Sequence, residues 1–304
     1  MTHQPHPALS IPRPGTDPAL AEDWRAIFVP AADKQRLVHH ALLGLTLRQG
    51  SHASLPIHGL ILLSGPPGTG KTTLARGLTS VLSAQLGDRL GPVTLVELNP
   101  HALTSELHGQ TQRGVVAVLE DAIPALAADG PTVLLLDEVE ALAVARSVAS
   151  METNPADLHR ATDAVLAGVD RLARECPKLI IVATTNFSAT VDSAFVSRAD
   201  VVIEVGLPGI AAIEEMLRDT LATLAEVCEA SPASALRRLI AGRGVRDVAK
   251  VLDGLDGRQV RKFVVAALAS DAELTLAPER LDEATLLAHA RNTKIAAVEA
   301  IHAA

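Results

Sequence analysis

The sequence predicts a doubly wound α/β domain followed by a smaller, all-helical one. Three observations carry this: five short apolar runs, helical patterns between them, and the end of strand-like sequence at Leu207-Pro208-Gly209. The runs are GLILLS (59–64), VTLVELN (93–99), TVLLLDE (132–138), KLIIVATTN (178–186) and VVIEV (201–205). Each is continuously apolar and rich in Val, Leu and Ile, as strands are when helices cover both faces of a parallel sheet. KTTLARGLTSVLSAQL (71–86) and RATDAVLAGVDRLARE (160–175) read as helices, the latter region opening with Asn154 as N-cap and Pro155 as first helical residue. Five parallel strands flanked by helices therefore span 23–208. Residues 209–304 read as four or five helices.

Residues 1–22 read as a flexible N-terminal tail, with five prolines in the first twenty positions and no long apolar run. Neither a signal peptide nor a membrane span is expected there. With 48% hydrophobic residues, no Tyr, one Trp and four Phe, the core is built from Ala, Leu and Val. A net charge of −8 argues against a general nucleic-acid surface, which needs clustered Lys and Arg. The two cysteines, Cys176 and Cys228, lack CxxC spacing, so a thiol-reducing, cytoplasmic setting is expected. No Cys/His set has zinc spacing. The Ala-rich helices at 209–230 and 260–270 carry charges every few residues, which suits core and protomer contacts rather than a membrane.

The chemistry starts where the first strand meets the first helix. GPPGTGKTT, residues Gly65, Pro66, Pro67, Gly68, Thr69, Gly70, Lys71, Thr72 and Thr73, fits the phosphate-loop pattern G-x-x-x-x-G-K-[ST]. Glycines let backbone N–H groups curl around phosphate oxygens, and the following helix adds its positive N-terminus. Lys71 would reach the β- and γ-phosphates of ATP, and the Thr72 hydroxyl would bind Mg²⁺.

A second element answers the first. VLLLDEVEAL runs an apolar strand into Asp137-Glu138. Asp137 would complete the Mg²⁺ shell and Glu138 would polarise a water for in-line attack; standing alone, the pair would equally suit the cap of the next helix. Asn186, ending IIVATTN, would orient that water. Arg198, in DSAFVSRAD (192–200), is harder to place. Its bland reading is a surface salt bridge to Asp192 or Asp200.

These elements in this order, followed by a helical lid, resemble the AAA+ ATPases. DEVEALAVARS, ETNPADLHRATDAVLAGVD, ATTNFSATVDSAFVSRADV and the late GLDGRQVRK are similar to motifs of the pachytene-checkpoint ATPases, which remodel HORMA-domain proteins. The likeness covers about residues 23–270, including Trp24, Ile27 and Phe28, which it implies wall the adenine pocket. It implies that Arg198 acts in trans as an arginine finger on the neighbouring protomer's γ-phosphate, within a ring, most simply a hexamer. It also implies that Arg258 is a second sensor reaching the nucleotide in cis.

The sequence departs from that family in two places. The pore loop of the family carries a lysine and an aromatic, whereas alignment from LNPHAL offers Ser105, Glu106, Leu107 and His108; a register one or two residues away is the alternative. Only about twenty residues precede the motor, which resembles the bacterial branch that accompanies HORMA regulators in nucleotide-second-messenger antiphage systems. The expected partners are copies of the chain and a HORMA-domain protein bound to a cyclic-oligonucleotide synthase, with no nucleic acid and no membrane. A different reading from the same ATPase core is a loader acting at nucleic acid.

Overall fold

Alternate residues of a strand point to opposite faces, so a run that is apolar at every position needs cover on both sides. In the computed structural model, which describes residues 6–49, 55–103, 110–145, 155–232 and 234–302, the runs in 60–64, 132–136 and 179–185 have that cover, whereas the run in 201–204, at the sheet edge, alternates buried and exposed. The described residues form a six-stranded sheet: β1 (Arg13–Pro14), β2 (Leu60–Ser64), β3 (Thr94–Leu98), β4 (Thr132–Leu136), β5 (Leu179–Thr185) and β6 (Val201–Glu204). The spatial order is β1-β3-β4-β5-β2-β6. Five of the strands run parallel, and β1 adds to the β3 edge antiparallel.

Leu60, Leu62, Leu134, Leu136, Ile181 and Ala183 join one core cluster, against Val165, Val169 and Leu172 of α6 (Pro155–Glu175, as labelled below). Their neighbours Ile61, Leu63, Val133, Leu135, Ile180 and Val182 join a second, against Leu74, Leu78 and Leu82. The helices of this unit are α1 (Pro18–Ala26), α2 (Ala31–Leu47), α3 (Lys71–Leu90), α4 (Gln110–Val116), α5 (Ile123–Asp129), α6 and the single turn α7 (Ser193–Val196). A π segment, Ala117–Ala122, joins α4 to α5 just ahead of Pro124. Proline has no N–H to give an ordinary helical bond, and a π turn is one way a helix absorbs that.

Beyond the end of α2, Arg48 donates to the carbonyls of Ala173, Cys176 and Leu179 at 2.7, 3.1 and 2.6 Å. It thereby satisfies carbonyls that the last turn of α6 leaves open.

The N-terminal segment is not loose over residues 8–17. Ala8 and Leu9 are buried, the Ser10 N–H donates to the Glu97 carbonyl at 2.9 Å, and the Glu97 N–H donates to the Ser10 hydroxyl at 3.0 Å. The Gly15 N–H donates to Val93 O at 2.7 Å, and Asp17 then caps α1 through Ala19 N. The docking uses backbone groups that β3 would otherwise leave unpaired, with Ser10 and Gly15 donating where the prolines cannot. Proline content alone therefore points the wrong way here.

Two compact units emerge. One is the chain up to Gly65 together with Lys71–Val205; the other takes in Pro66–Gly70 and Gly206–Ala304. The second is helical: α8 (Ile210–Val227), α9 (Ala235–Ala241), α10 (Gly244–Val251), α11 (Gly257–Ala269), α12 (Ala272–Leu276) and α13 (Glu283–His302). Its interior holds Leu217, Leu221, Val248, Phe263, Val264 and Leu286, all but inaccessible. Six helices replace the expected four or five because three are eight residues or shorter. Such lengths barely show a period in sequence. No described helix is long and apolar enough to cross a membrane.

Candidate active site

The carboxyl ends of β2, β4 and β5 lie side by side, with Ser64 opposite Thr185 and Leu136 opposite Ala183. Whatever follows each strand is thus delivered to one place. After β2 come Gly65 and, at the start of α3, Lys71 and Thr72; after β4 come Asp137 and Glu138; after β5 comes Asn186.

These side chains are already wired together. Lys71 is buried, 6% exposed, and its ammonium donates to Gly65 O and to Asn186 Oδ1, both at 2.8 Å. The Asn186 amide donates in turn to Glu138 Oε1 at 3.3 Å. Thr72 donates to Asp137 Oδ1 at 2.7 Å, and Thr184 donates to the same oxygen at 2.6 Å. Burial lowers the pKa of Lys71, against the opposing charges of Glu140, Asp137 and Glu138.

Glu138 has φ +52°, the left-handed region, where a residue with a Cβ is strained by about 1–2 kcal/mol. Its N–H donates to the Thr184 hydroxyl at 3.0 Å, which holds the turn in that conformation. The strain aims Glu138 away from the strand direction and toward Asn186.

Within the helical unit, the loop Pro66–Gly70 meets the start of α11. Gly68 has φ +77°, and a Cβ there would stand 2.4 Å from a carboxylate oxygen of Asp256. A side chain at position 68 would be strained by conformation and would have to displace the Asp256 carboxylate. Thr69 donates to Pro66 O at 2.9 Å. Asp256 caps α11 by accepting from the N–H groups of Arg258 and Gln259, and the Asp256 N–H donates to Gln259 Oε1, a complete capping box. Arg258 thus occupies the first turn of α11.

Arg198 stands apart from the Lys71 cluster. Its Nε and Nη2 donate to the two oxygens of Asp170 on α6 at 2.7 and 2.8 Å, and its Nη1 donates to Ala194 O at 2.7 Å. The bland expectation of a salt bridge was right in kind and wrong in partner. Asp192 caps α7 through Ala194 N, and Asp200 accepts from the N–H groups of His58 and Gly59. The Arg198 guanidinium holds the Asp170 carboxyl below the usual carboxylate range.

Trp24 and Ile27 are half-buried against the second core cluster, with the Lys34 ammonium 4.9 Å from the Trp24 ring centre. Glu106, Leu107 and His108 lie outside the described residues. Thr184 and Glu140 belong to the cluster but carry no motif of their own. Thr184 is hidden inside an apolar run, and Glu140 follows a more conspicuous pair of acids. No group of three or more His, Cys, Asp and Glu among the described residues is placed to hold a metal. The Thr72 hydroxyl and Asp137 carboxylate nevertheless offer two hard oxygens 2.7 Å apart, which suits a Mg²⁺ ion that keeps most of its ligands as water and phosphate.

Residues 61–207 match the model of the ATPase family associated with various cellular activities. The chain is 43% identical over 279 residues to CD-NTase-associated protein 6 of Pseudomonas aeruginosa, covering 91% of this chain and 90% of that one. It is 31% identical over 277 residues to a pachytene checkpoint protein 2 homolog of Arabidopsis thaliana, but spans 59% of that protein's length. Among solved structures, C. elegans PCH-2 superposes with a TM-score of 0.75 at 24% identity, over 92% of this chain and 73% of that one. A chain of the E. coli MS115-1 HORMA:CdnC:Trip13 complex superposes with a TM-score of 0.73 at 18% identity, over 93% and 94%. Both structural matches speak for the fold.

Proposed function

Because the chain belongs to the AAA ATPases, in the branch of the CD-NTase-associated and pachytene-checkpoint proteins, we propose that it is a ring-forming motor that opens or disassembles HORMA-domain complexes and thereby restrains a cyclic-nucleotide immune synthase. The observation that carries the hydrolytic half is the Lys71–Asn186–Glu138 chain beside the Thr72–Asp137 pair at three adjacent strand ends. The partner half is supported by the Pseudomonas relative, whose name ties it to a CD-NTase, and by the E. coli complex, whose name joins HORMA, CdnC and Trip13.

Each residue has one task in this reading. The loop Gly65–Thr73 presents its N–H groups to the phosphates of ATP, and Lys71 exchanges Asn186 Oδ1 or Gly65 O for a phosphate oxygen. A Mg²⁺ ion held through Thr72 and Asp137 would offset the charge of the phosphates. Glu138 accepts a proton from the attacking water, and Asn186 orients both Glu138 and that water. Arg198 acts on the neighbouring protomer's nucleotide, and Arg258 is the sensor borne by the helical unit. Of the pore-loop candidates Glu106, Leu107 and His108, Leu107 is the apolar one and is assigned the contact with the substrate chain.

The deciding experiment measures ATP hydrolysis with a cognate HORMA protein, with DNA, and with neither. Stimulation by the HORMA protein alone, with its release from a preformed complex, is expected. Stimulation by DNA alone would move the chain to the loader class.

A further inference from the structure

Along β5 the Ile181 N–H and the Thr185 carbonyl bond toward β2 while the Lys178 carbonyl bonds toward β4, so Asn186, at an even position, presents its N–H on the β4 side. The parallel ladder between β4 and β5 ends at Leu136 and Ala183, so that N–H has no strand to donate to. That donor goes instead to a side chain: Glu140 Oε1 accepts it at 3.1 Å. Glu140 sits in the 3₁₀ turn Val139–Ala141, two residues beyond Glu138. Its other oxygen, Oε2, is buried and has no hydrogen-bond partner. A buried carboxylate oxygen left unpaired is costly, and the position is tolerated with a single hydrogen bond, to the amide of Asn186.

We propose that Glu140 is a positioning residue for ATP hydrolysis: by holding the Asn186 backbone where the sheet ladder stops, it sets the Asn186 carboxamide between Lys71 and Glu138. A strand end that is free past its last pair can rotate about the next two dihedrals. With the N–H of Asn186 fixed to Glu140, its carboxamide meets Lys71 Nζ at 2.8 Å and Glu138 Oε1 at 3.3 Å at once. The turn after β4 thus contributes three acids with separate tasks. Asp137 holds Thr72 and Thr184, Glu138 faces the water, and Glu140 anchors the neighbouring strand. The charge of Glu140 also favours the protonated form of the buried Lys71, but the geometry makes the hydrogen bond, not the charge, the working part.

The inference rests on the reading of Asn186 as the residue that orients Glu138 and water. Two variants separate bond from charge in the full chain. Glu140→Gln keeps an acceptor at the same reach and loses the charge; Glu140→Asp keeps the charge and withdraws the acceptor by one methylene. Steady-state ATP hydrolysis gives kcat and KM, and a fluorescent ATP analogue gives affinity. Misplacement of a catalytic group by about 1 Å costs up to about 10²-fold, so Glu140→Asp should lower kcat by about 10- to 100-fold with KM and analogue affinity nearly unchanged. Glu140→Gln should stay within about threefold of the parent, by the same geometric argument. Asn186→Ala should lose at least as much as Glu140→Asp, and the double variant should lose no more than Asn186→Ala alone. An active Glu140→Asp beside an impaired Glu140→Gln would make the charge the working part and overturn the proposal. Additive losses in the double variant would overturn it as well. Wild-type turnover in Asn186→Ala would instead bring down the reading of Asn186, and this inference with it.

Discussion

The Lys71 cluster and the Arg198 turn belong to the same α/β unit, yet they are finished to different degrees. In the cluster, the side chains bond to one another: Lys71 to Asn186, Asn186 to Glu138, Thr72 to Asp137. At the turn, the guanidinium is bonded on both edges to groups of its own subunit, Asp170 and Ala194, rather than to anything it is proposed to act on. The first region is assembled by the fold of one chain. In the proposed trans role, the second would have to exchange partners, with Asp170 as the competing carboxylate.

The sharpest way to break this contrast is Arg198→Ala. An arginine finger contributes about 10³–10⁵ in rate, so turnover should nearly vanish while nucleotide binding, measured by fluorescence titration, persists. Mixing this variant with Glu138→Gln protomers should restore some hydrolysis, because some interfaces then pair an intact Arg198 with an intact Glu138. Full activity from a monomer at high dilution would put Arg198 outside the mechanism. Glu138→Gln alone tests the other region. General-base catalysis is worth about 10²–10⁴-fold, and turnover should fall by that much with ATP still bound. A loss of only about threefold, far below that range, would remove Glu138 from the chemistry.

Smaller effects sharpen the comparison. Asp170→Asn weakens the hold on Arg198 without touching Arg198 itself. A half-exposed ion pair is worth at most about 1 kcal/mol, or about fivefold. The protein concentration giving half-maximal specific ATPase should therefore fall by up to that factor. A rise instead would make Asp170 a support for the active arginine rather than its competitor. The last test leaves the nucleotide chemistry and asks about the pore. Full cover of a leucine side chain contributes about 1.5–3 kcal/mol. Leu107→Asp should accordingly lower the amount of HORMA complex opened per ATP hydrolysed, and Leu107→Trp should keep or raise it. An unchanged ratio in a stable Leu107→Asp ring would take Leu107 off the pore.

The parallel part of the sheet was legible because strands covered on both faces, as β2, β4 and β5 are, must be apolar at nearly every position, and each of the five parallel strands falls within its apolar run. The phosphate-loop pattern and the Asp137-Glu138 pair stood out in the sequence because both are short, fixed-spacing motifs, and the structure brings Lys71, Thr72, Asp137 and Glu138 to adjacent strand ends. What the sequence hid has a common cause. Thr184 acts on partners 46 and 47 residues away, Glu140 on one 46 away and Asp170 on one 28 away. A contact of that kind leaves no periodicity and no spacing. The docked segment around Ser10 was hidden for a related reason, since it binds through backbone groups that every residue carries.

That segment also has a protective side. Without Leu9–Gly15, strand β3 would be an exposed outer strand of a sheet whose neighbours are almost entirely Val, Leu and Ile, and such a strand is a template for a second chain. A chain trimmed to begin at Asp17 would keep every residue of the nucleotide cluster and still lose solubility over time. Fusions and tags at the N-terminus should be separated from residue 8 by a spacer, so that the cover on β3 stays in place.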